Sequence, residues 1–394
     1  MKICVVSRGD LSLFPPTEGA SVKLFYTLKG LSKIAKVYFV TAENDFYYEI
    51  FKEKFRRKKY PKLIKNSKIG KVHKKILQLL GLSKDIFVLY HPLVNLKLWL
   101  KVLYVVKKEK VDVLQSEFTA FGIPALFVKF LTFKPIVLVE HNVETFQLPK
   151  VTRIGKRGKK IIKLVEKLVC KGSDRVIVMC EAEKKRLLKL KVNEKKIKII
   201  PHGVDLSRFK KIKNVKTLRK KYGLKFPVLV FHGVFSYKPN LDAIKFLIEK
   251  VLPELEKKKV KAKLLAIGNY PPQIKHPNVI FTGVVKNLPK FIAAGDIAVV
   301  PLTAGGGIRI KILEYFAAKK PVIATKKAIE GIPARNNQEV IISSLKNFSS
   351  NLLKLIKNKK LREKLSKNAF QFIQTYDWKE ICKKYIEVYE GLII

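Results

Sequence analysis

Twelve short apolar runs recur along this chain, and they constrain its fold more than any other feature. They fall at residues 3–7, 37–41, 111–115, 136–140, 176–180 and 197–201, and again at 228–232, 263–268, 279–283, 296–302, 321–325 and 339–343. Each is about five residues, rich in Val and Ile, and most lack the apolar–polar alternation of a half-exposed strand; such runs mark parallel strands buried on both faces. Helix-length segments separate most of them, 241–256 and 352–372 among them. Alternating strands and helices predict parallel sheets with right-handed crossovers, hence a doubly wound α/β class. Twelve strands are too many for one ordinary sheet, and 394 residues suit two or three domains. The reading is therefore two Rossmann-like domains, 1–206 and 207–375, followed by an amphipathic terminal helix in 376–394. The basic stretch 207–225 holds no strand run and reads as the linker that opens the second domain.

Charge narrows the partners without choosing one. Lys and Arg number 82 against 31 Asp and Glu, a formal net charge of +51. Such an excess attracts polyanions: nucleic acid, an anionic membrane, or phosphorylated small molecules. A Lys-rich solvated surface is the plainer alternative. A specific nucleic-acid binder would show a recognition helix, a zinc motif or interleaved stacking aromatics, and none of these is legible. Charge is densest at 51–75, where about a dozen Lys and Arg meet one acid, Glu53. That insertion reads as a solvated loop or helix face, or, with Phe51, Phe55, Tyr60 and Ile64, as a dock for anionic lipid headgroups. Hydrophobic residues make up 47% of the chain, enough for sizeable cores, so wholesale disorder is excluded. Four scattered cysteines form no C-x-x-C pair, which argues against a zinc knuckle or disulfide framework and fits a reducing compartment. The opening apolar run is too short for a signal peptide, and no uncharged run reaches the roughly 18 residues of a membrane span. A cytoplasmic protein, soluble or held at the inner membrane face, is the expectation.

The segment richest in chemistry is Pro301-Leu302-Thr303-Ala304-Gly305-Gly306-Gly307-Ile308-Arg309-Ile310-Lys311, which continues to Glu314. It reads as a strand end, a glycine loop and a helix over 308–318. Glycines let backbone approach a ligand and leave amide N–H groups open at the helix start. With the helix dipole these form an anion site suited to a diphosphate, and Arg309 and Lys311 add charge there. Glu314 shares a helix face with Ile310 and Lys311. A carboxylate there repels phosphate and suits sugar hydroxyls instead; the alternative is a simple Glu314–Lys311 pair.

Several motifs flank this segment: Phe231-His232-Gly233-Val234, Lys238-Pro239-Asn240-Leu241-Asp242-Ala243, Leu265-Ala266-Ile267-Gly268, Asn278-Val279-Ile280-Phe281-Thr282-Gly283 and Ala294-Gly295-Asp296. Earlier come Glu140-His141-Asn142 after a strand, and Ile200-Pro201-His202-Gly203-Val204-Asp205. Together they resemble the family 4 glycosyltransferases of the GT-B fold, over most of the chain and most densely from 228 to 331. The resemblance implies two domains facing each other across a cleft and transfer of a sugar from a UDP- or GDP-linked donor to a glycan or lipid-linked acceptor. It also implies retention and no metal cofactor. Glu314 would hold the ribose as the second acid of an E-x7-E motif. Gly306 stands where the first acid belongs, and Val234 where many relatives carry Arg; Lys238 or Lys311 would supply that charge.

On this reading His141, Glu314, Arg309 and Lys311 form the catalytic set. Gly305, Gly306, Gly307, Ile308, Gly233, Lys238, Gly283 and Val284 bind the donor. Gly19, Ala20 and Ser21, with Glu18, form a loop for acceptor or phosphate, Phe118 lines a pocket or packs in the core, and His202 and Asp205 are turn residues at the domain junction. The terminal helix would cross back onto the first domain. The rival functions are a GT-B nucleotide-sugar epimerase or hydrolase, a basic nucleic-acid binder, and a degenerate member that binds donor without turnover.

Overall fold

The computed structural model describes residues 1–8, 19–65, 70–210 and 212–393. It divides into two compact units, Met1–His202 with Trp378–Ile394, and Gly203–Asp377. The first holds strands β1 (Lys2–Val6), β2 (Lys36–Val40), β3 (Phe46–Phe51), β4 (Lys54–Lys59), β5 (Val113–Glu117), β6 (Ile136–Glu140), β7 (Arg175–Val178) and β8 (Ile197–Ile199). Their order in the sheet is β4-β3-β2-β1-β5-β6-β7-β8. Across the sheet from β2 through β1 to β8 every pairing is parallel, while β3 pairs antiparallel with both β2 and β4. The second unit holds β9 (Val228–His232), β10 (Lys263–Ile267), β11 (Val279–Phe281), β12 (Ile297–Val300), β13 (Val322–Ala324) and β14 (Ile341–Ile342). Its order, β11-β10-β9-β12-β13-β14, is that of a doubly wound dinucleotide-binding sheet, all parallel.

All twelve apolar runs are strands. Central ones such as Val228–His232, Val113–Glu117 and Ile136–Glu140 are buried along their whole length, which is why their sequences carry no alternation. Each sheet has a point where strand order reverses, between β1 and β5 in the first unit and between β9 and β12 in the second. Ligands of open α/β sheets collect there, beyond the carboxyl ends of the strands.

Three expectations need correcting. The first part of the insertion 51–75 is neither loop nor helix face: β3 and β4 form a hairpin across Lys52 and Glu53, and β4, Lys-Phe-Arg-Arg-Lys-Lys, is the sheet's edge strand, while Lys71–Leu79 is a helix. An edge strand has one side unpaired, so charged side chains there reach water and discourage pairing with another chain. The segment 207–225 is no linker either. It forms the helices Ser207–Lys210 and Val215–Lys221, and Arg219 clamps Asp296 at 2.9 and 3.2 Å. The chain passes into the second unit earlier, after His202. Finally, 352–372 is two helices, Phe348–Lys357 and Lys359–Ile373, broken at Asn358, whose side-chain oxygen accepts from Leu361 N at 2.9 Å.

The helix Trp378–Ile393 packs within the first unit against the helix Gly19–Leu31. Trp378 stacks on Tyr26 with ring centroids 5.9 Å apart and meets His202 edge-on at 5.2 Å. A Cβ on Gly30 would lie 2.3 Å from Cys382 Sγ, so only glycine permits this approach.

Candidate active site

In the second unit, glycines stand at the carboxyl ends of four neighbouring strands: Gly233 after β9, Gly268 after β10, Gly283 after β11 and Gly305 in the loop beyond β12. Gly233 N donates to Ile267 O at 2.9 Å and Gly268 N to Gly283 O at 3.1 Å, which draws three of these ends into one shelf. The shelf needs glycine. A Cβ on Gly268 would lie 1.9 Å from Gly233 O, and one on Gly233 would lie 2.7 Å from the Asn240 amide and 2.9 Å from Lys311 Nζ.

The helix Ile310–Ala317 begins just past the glycine loop, with Arg309 as its cap residue. Arg309 is buried and turns back on that loop. Its guanidinium donates to Gly305 O at 2.8 Å and also to the carbonyls of Gly306 and Gly307. It thus holds the loop's shape, and burial pulls its pKa below the ordinary value. Lys311 takes the position nearest the shelf. Its Nζ donates to Asn240 Oδ1 at 2.8 Å and sits 4.2 Å from the centre of the Phe231 ring. Burial, with the Arg309 charge beside it, lowers the Lys311 pKa to about 7 against a smaller upward pull from Glu314. Lys238 lies apart, on the exposed side of its helix, paired with Asp242 at 3.1 Å. Of the two lysines considered for the charge near Val234, the structure brings Lys311 to that strand end.

Glu314, one turn further along, has His232 as its close partner, with His232 Nε2 at 2.9 Å from Oε2; Arg208 approaches Oε1 at 3.9 Å. The backbone N–H of His232 donates to the Tyr315 hydroxyl at 2.8 Å, which ties the end of β9 to the helix. Burial keeps the His232 pKa low despite the carboxylate, so at neutral pH it pairs with Glu314 as a neutral donor. Ile308 packs against the core, and Val284, beyond Gly283, is exposed.

In the first unit, His141 follows the carboxyl end of β6 and Glu117 ends β5. His141 Nε2 lies 2.5 Å from Glu117 Oε2. Glu117, fully buried, also accepts from Lys23 Nζ at 2.9 and 2.8 Å and from Gln115 Nε2 at 2.6 Å. Burial alone would push the Glu117 carboxyl up; the Lys23 charge and the His141 bond overcome it and hold the pKa at about 2. The Phe118 ring stacks on His141 with centroids 4.1 Å apart and planes 13° from parallel. Phe118 reaches that place with φ +69°, a left-handed conformation that costs a bulky residue about 1–3 kcal/mol and that persists chiefly at functional sites. Gly19, Ala20 and Ser21 open the helix Gly19–Leu31, with Ser21 buried; Glu18 lies outside the described residues.

Sequence reading named His141, Glu314, Arg309, Lys311 and the glycines but assigned no role to His232, Asn240, Arg208, Lys23 or Glu117. His232 and Asn240 stood within quoted motifs, and Glu117 beside Phe118. Position is the available signal for two of them: His232 and Glu117 end the strands β9 and β5, whereas Asn240 lies in the first turn of the helix Lys238–Phe246.

Residues 73–208 match the family model described as Glycosyltransferase Family 4, and residues 226–358 the one described as Glycosyl transferases group 1. The chain belongs to the family 4 glycosyltransferases. It is 25% identical over 325 residues to an uncharacterized glycosyltransferase of Methanocaldococcus jannaschii, covering 76% of this chain and 80% of that one. It is also 25% identical over 297 residues to the UDP-Gal:alpha-D-GlcNAc-diphosphoundecaprenol alpha-1,3-galactosyltransferase of Escherichia coli, covering 70% and 74%. Its fold is similar to that of Anabaena HepE, solved in complex with UDP, with a TM-score of 0.72 at 14% identity over 100% of both chains. It is equally similar to a sucrose-phosphate synthase from Thermosynechococcus elongatus, with a TM-score of 0.72 at 15% identity over 99% and 98%. The fold of this family 4 enzyme is thus GT-B, with two Rossmann-like units.

Proposed function

We propose that this glycosyltransferase moves a hexosyl group from a UDP- or GDP-linked sugar to a glycan or lipid-linked acceptor, with retention and without a divalent metal. The observation that carries the reading is Glu314, held by His232 beside a shelf in which Gly233 and Gly268 leave no room for a Cβ. A carboxylate so placed accepts hydrogen bonds from ribose or sugar hydroxyls, while open backbone and the helix start receive a diphosphate. As the glycosidic bond loosens, negative charge grows on the departing diphosphate, and Lys311 with the helix dipole offsets it. Arg309 acts one step back, by holding the loop. His141, in the first unit, is suited to hydrogen-bond a sugar hydroxyl.

Charge supports an anionic or membrane-held acceptor at the inner membrane face. Leu63, Val72 and Leu79 are exposed among Lys62, Lys65, Lys71, Lys74 and Lys75. Among the described residues no helix is long and apolar enough to cross a membrane, so on this reading attachment is peripheral.

Calorimetric titration with UDP, GDP and their common sugar conjugates in EDTA tests the donor site. Base-selective binding is expected, weakened about 10- to 100-fold in Glu314→Ala, the effect of losing hydrogen bonds to a charged group. Absence of nucleotide binding under these conditions would overturn the reading. Product analysis by NMR then separates transfer with retention from inversion or from simple hydrolysis of the donor.

A further inference from the structure

The hydrogen bonds around Glu117 determine what His141 is able to do. An ionised carboxylate accepts and never donates. Glu117 Oε1 accepts from Lys23 and Gln115, and Oε2 from Lys23 and His141. Lys23 is itself buried to 1% exposure and donates to both oxygens, so the pair is an internal ion pair, not a surface contact. Gln115 is oriented independently: the Tyr389 hydroxyl, from the terminal helix, meets its Oε1, which leaves its N–H groups for Glu117. Every neighbour of this carboxylate is a donor, so the proton of the His141 ring sits on Nε2.

We infer that Glu117, held ionised by Lys23 and Gln115, is a positioning residue that makes His141 a neutral hydrogen-bond acceptor through Nδ1. The stacked Phe118 fixes the plane of the ring. Such a group accepts a hydrogen bond from a hydroxyl and cannot serve as a cation for phosphate. On the proposed transferase reading, such a ring suits a sugar hydroxyl rather than a phosphate. Burial and the Lys23 charge together lower the His141 pKa, with Glu117 pulling the other way and Arg8 adding a further downward pull, in keeping with a neutral ring. The assignment to a sugar hydroxyl rests on the proposed transferase reading; the tautomer does not.

Long-range proton–nitrogen NMR of the histidine-labelled full chain at pH 7.5, without ligand, reads the tautomer directly. His141, identified by its absence in His141→Gln, is expected to show a protonated Nε2 and a bare Nδ1. A protonated Nδ1 would overturn the proposal. Glu117→Gln should lose the single tautomer and lower kcat about a hundredfold, with KM for the nucleotide-sugar within a few-fold of wild type; Glu117→Asp should recover part of kcat. Wild-type kcat in Glu117→Gln would also refute it. Should Glu117→Gln fail to fold because Lys23 is stranded, the double variant Lys23→Met/Glu117→Gln removes that charge and gives the same readouts. If the wild-type protein neither binds nucleotide nor transfers sugar, the functional reading fails while the tautomer is still measured.

Discussion

Lys311 is held by three different forces at once. Burial and Arg309 disfavour its charge, while Glu314 favours it, and the balance leaves the pKa at about 7. Above that pH the unliganded amine is largely neutral. A diphosphate beside it favours the ammonium form, so binding should draw in a proton. UDP titrations at pH 8 in buffers of different ionisation enthalpy should reveal an uptake approaching one proton, falling away by pH 6 and lost in Lys311→Met. Binding heats independent of buffer at pH 8 would contradict this. Glu314, Lys311 and the glycines were legible because they share one loop and one helix, where spacing sets geometry. His232, 82 residues from Glu314, and Asn240 were not, because adjacent strands and a turn bring them to the same place. Arg309 shows the opposite failure. Its charge suggested a ligand, yet three glycine carbonyls close by in the chain claim it.

At the scale of elements, the hairpin β3–β4 carries much of what made the charge hard to read. Its outer strand exposes Lys54, Arg56, Arg57 and Lys59, while Phe55 turns inward to stack with Phe25 at 6.3 Å and Lys58 pairs with Glu49 at 2.8 Å. Alternation is present in this strand, but it runs basic against mixed rather than polar against apolar, and it escapes a search for hydrophobic period. Lys54 and Arg56, two residues apart and therefore on one face, line a surface hollow with Lys52 and Phe51. If this face meets anionic lipid, each basic residue contributes about 1 kcal/mol near the surface. Lys54→Ala/Arg56→Ala should then weaken binding to phosphatidylserine-containing vesicles by about 10- to 30-fold at low salt, read by sedimentation. Equal binding of variant and wild type would assign the hairpin's charge to edge protection alone.

Across the whole molecule, buried charge sets how stability responds to pH. Glu140, Glu144 and Glu166 cluster behind the loop that carries His141. Glu166 accepts from the backbone N–H groups of Glu144 and Thr145 at 2.5 and 3.0 Å, and Glu183 from Val143 N at 2.8 Å. Burial raises all three carboxyls, Glu144 to about 8 and Glu166 to about 7. Between pH 5 and 7 these carboxyls thus keep protons that the unfolded chain has released, and their contribution to stability falls as pH rises, by up to about 1.4 kcal/mol per pH unit for each proton held, while the lowered pKa values of His141 and His232 pull the other way over the same range. Above pH 7 the lowered Lys311 pKa works in the opposite direction, since the unfolded chain then binds the extra proton. Urea unfolding at pH 5, 6 and 7 should show stability changing less favourably with rising pH in the wild type than in Glu144→Gln; equal slopes would contradict the assignment. By itself the sequence determined the two parallel sheets, because strands buried on both faces must be apolar throughout, and it determined the glycine loop with Glu314, because that geometry is local. Only the tertiary structure decided which charges meet. Lys23 and Glu117 come from a helix and a strand 94 residues apart, and nothing in either segment alone requires the other. It is the cost of burying each charge unpaired that brings them together, and with them the state of His141.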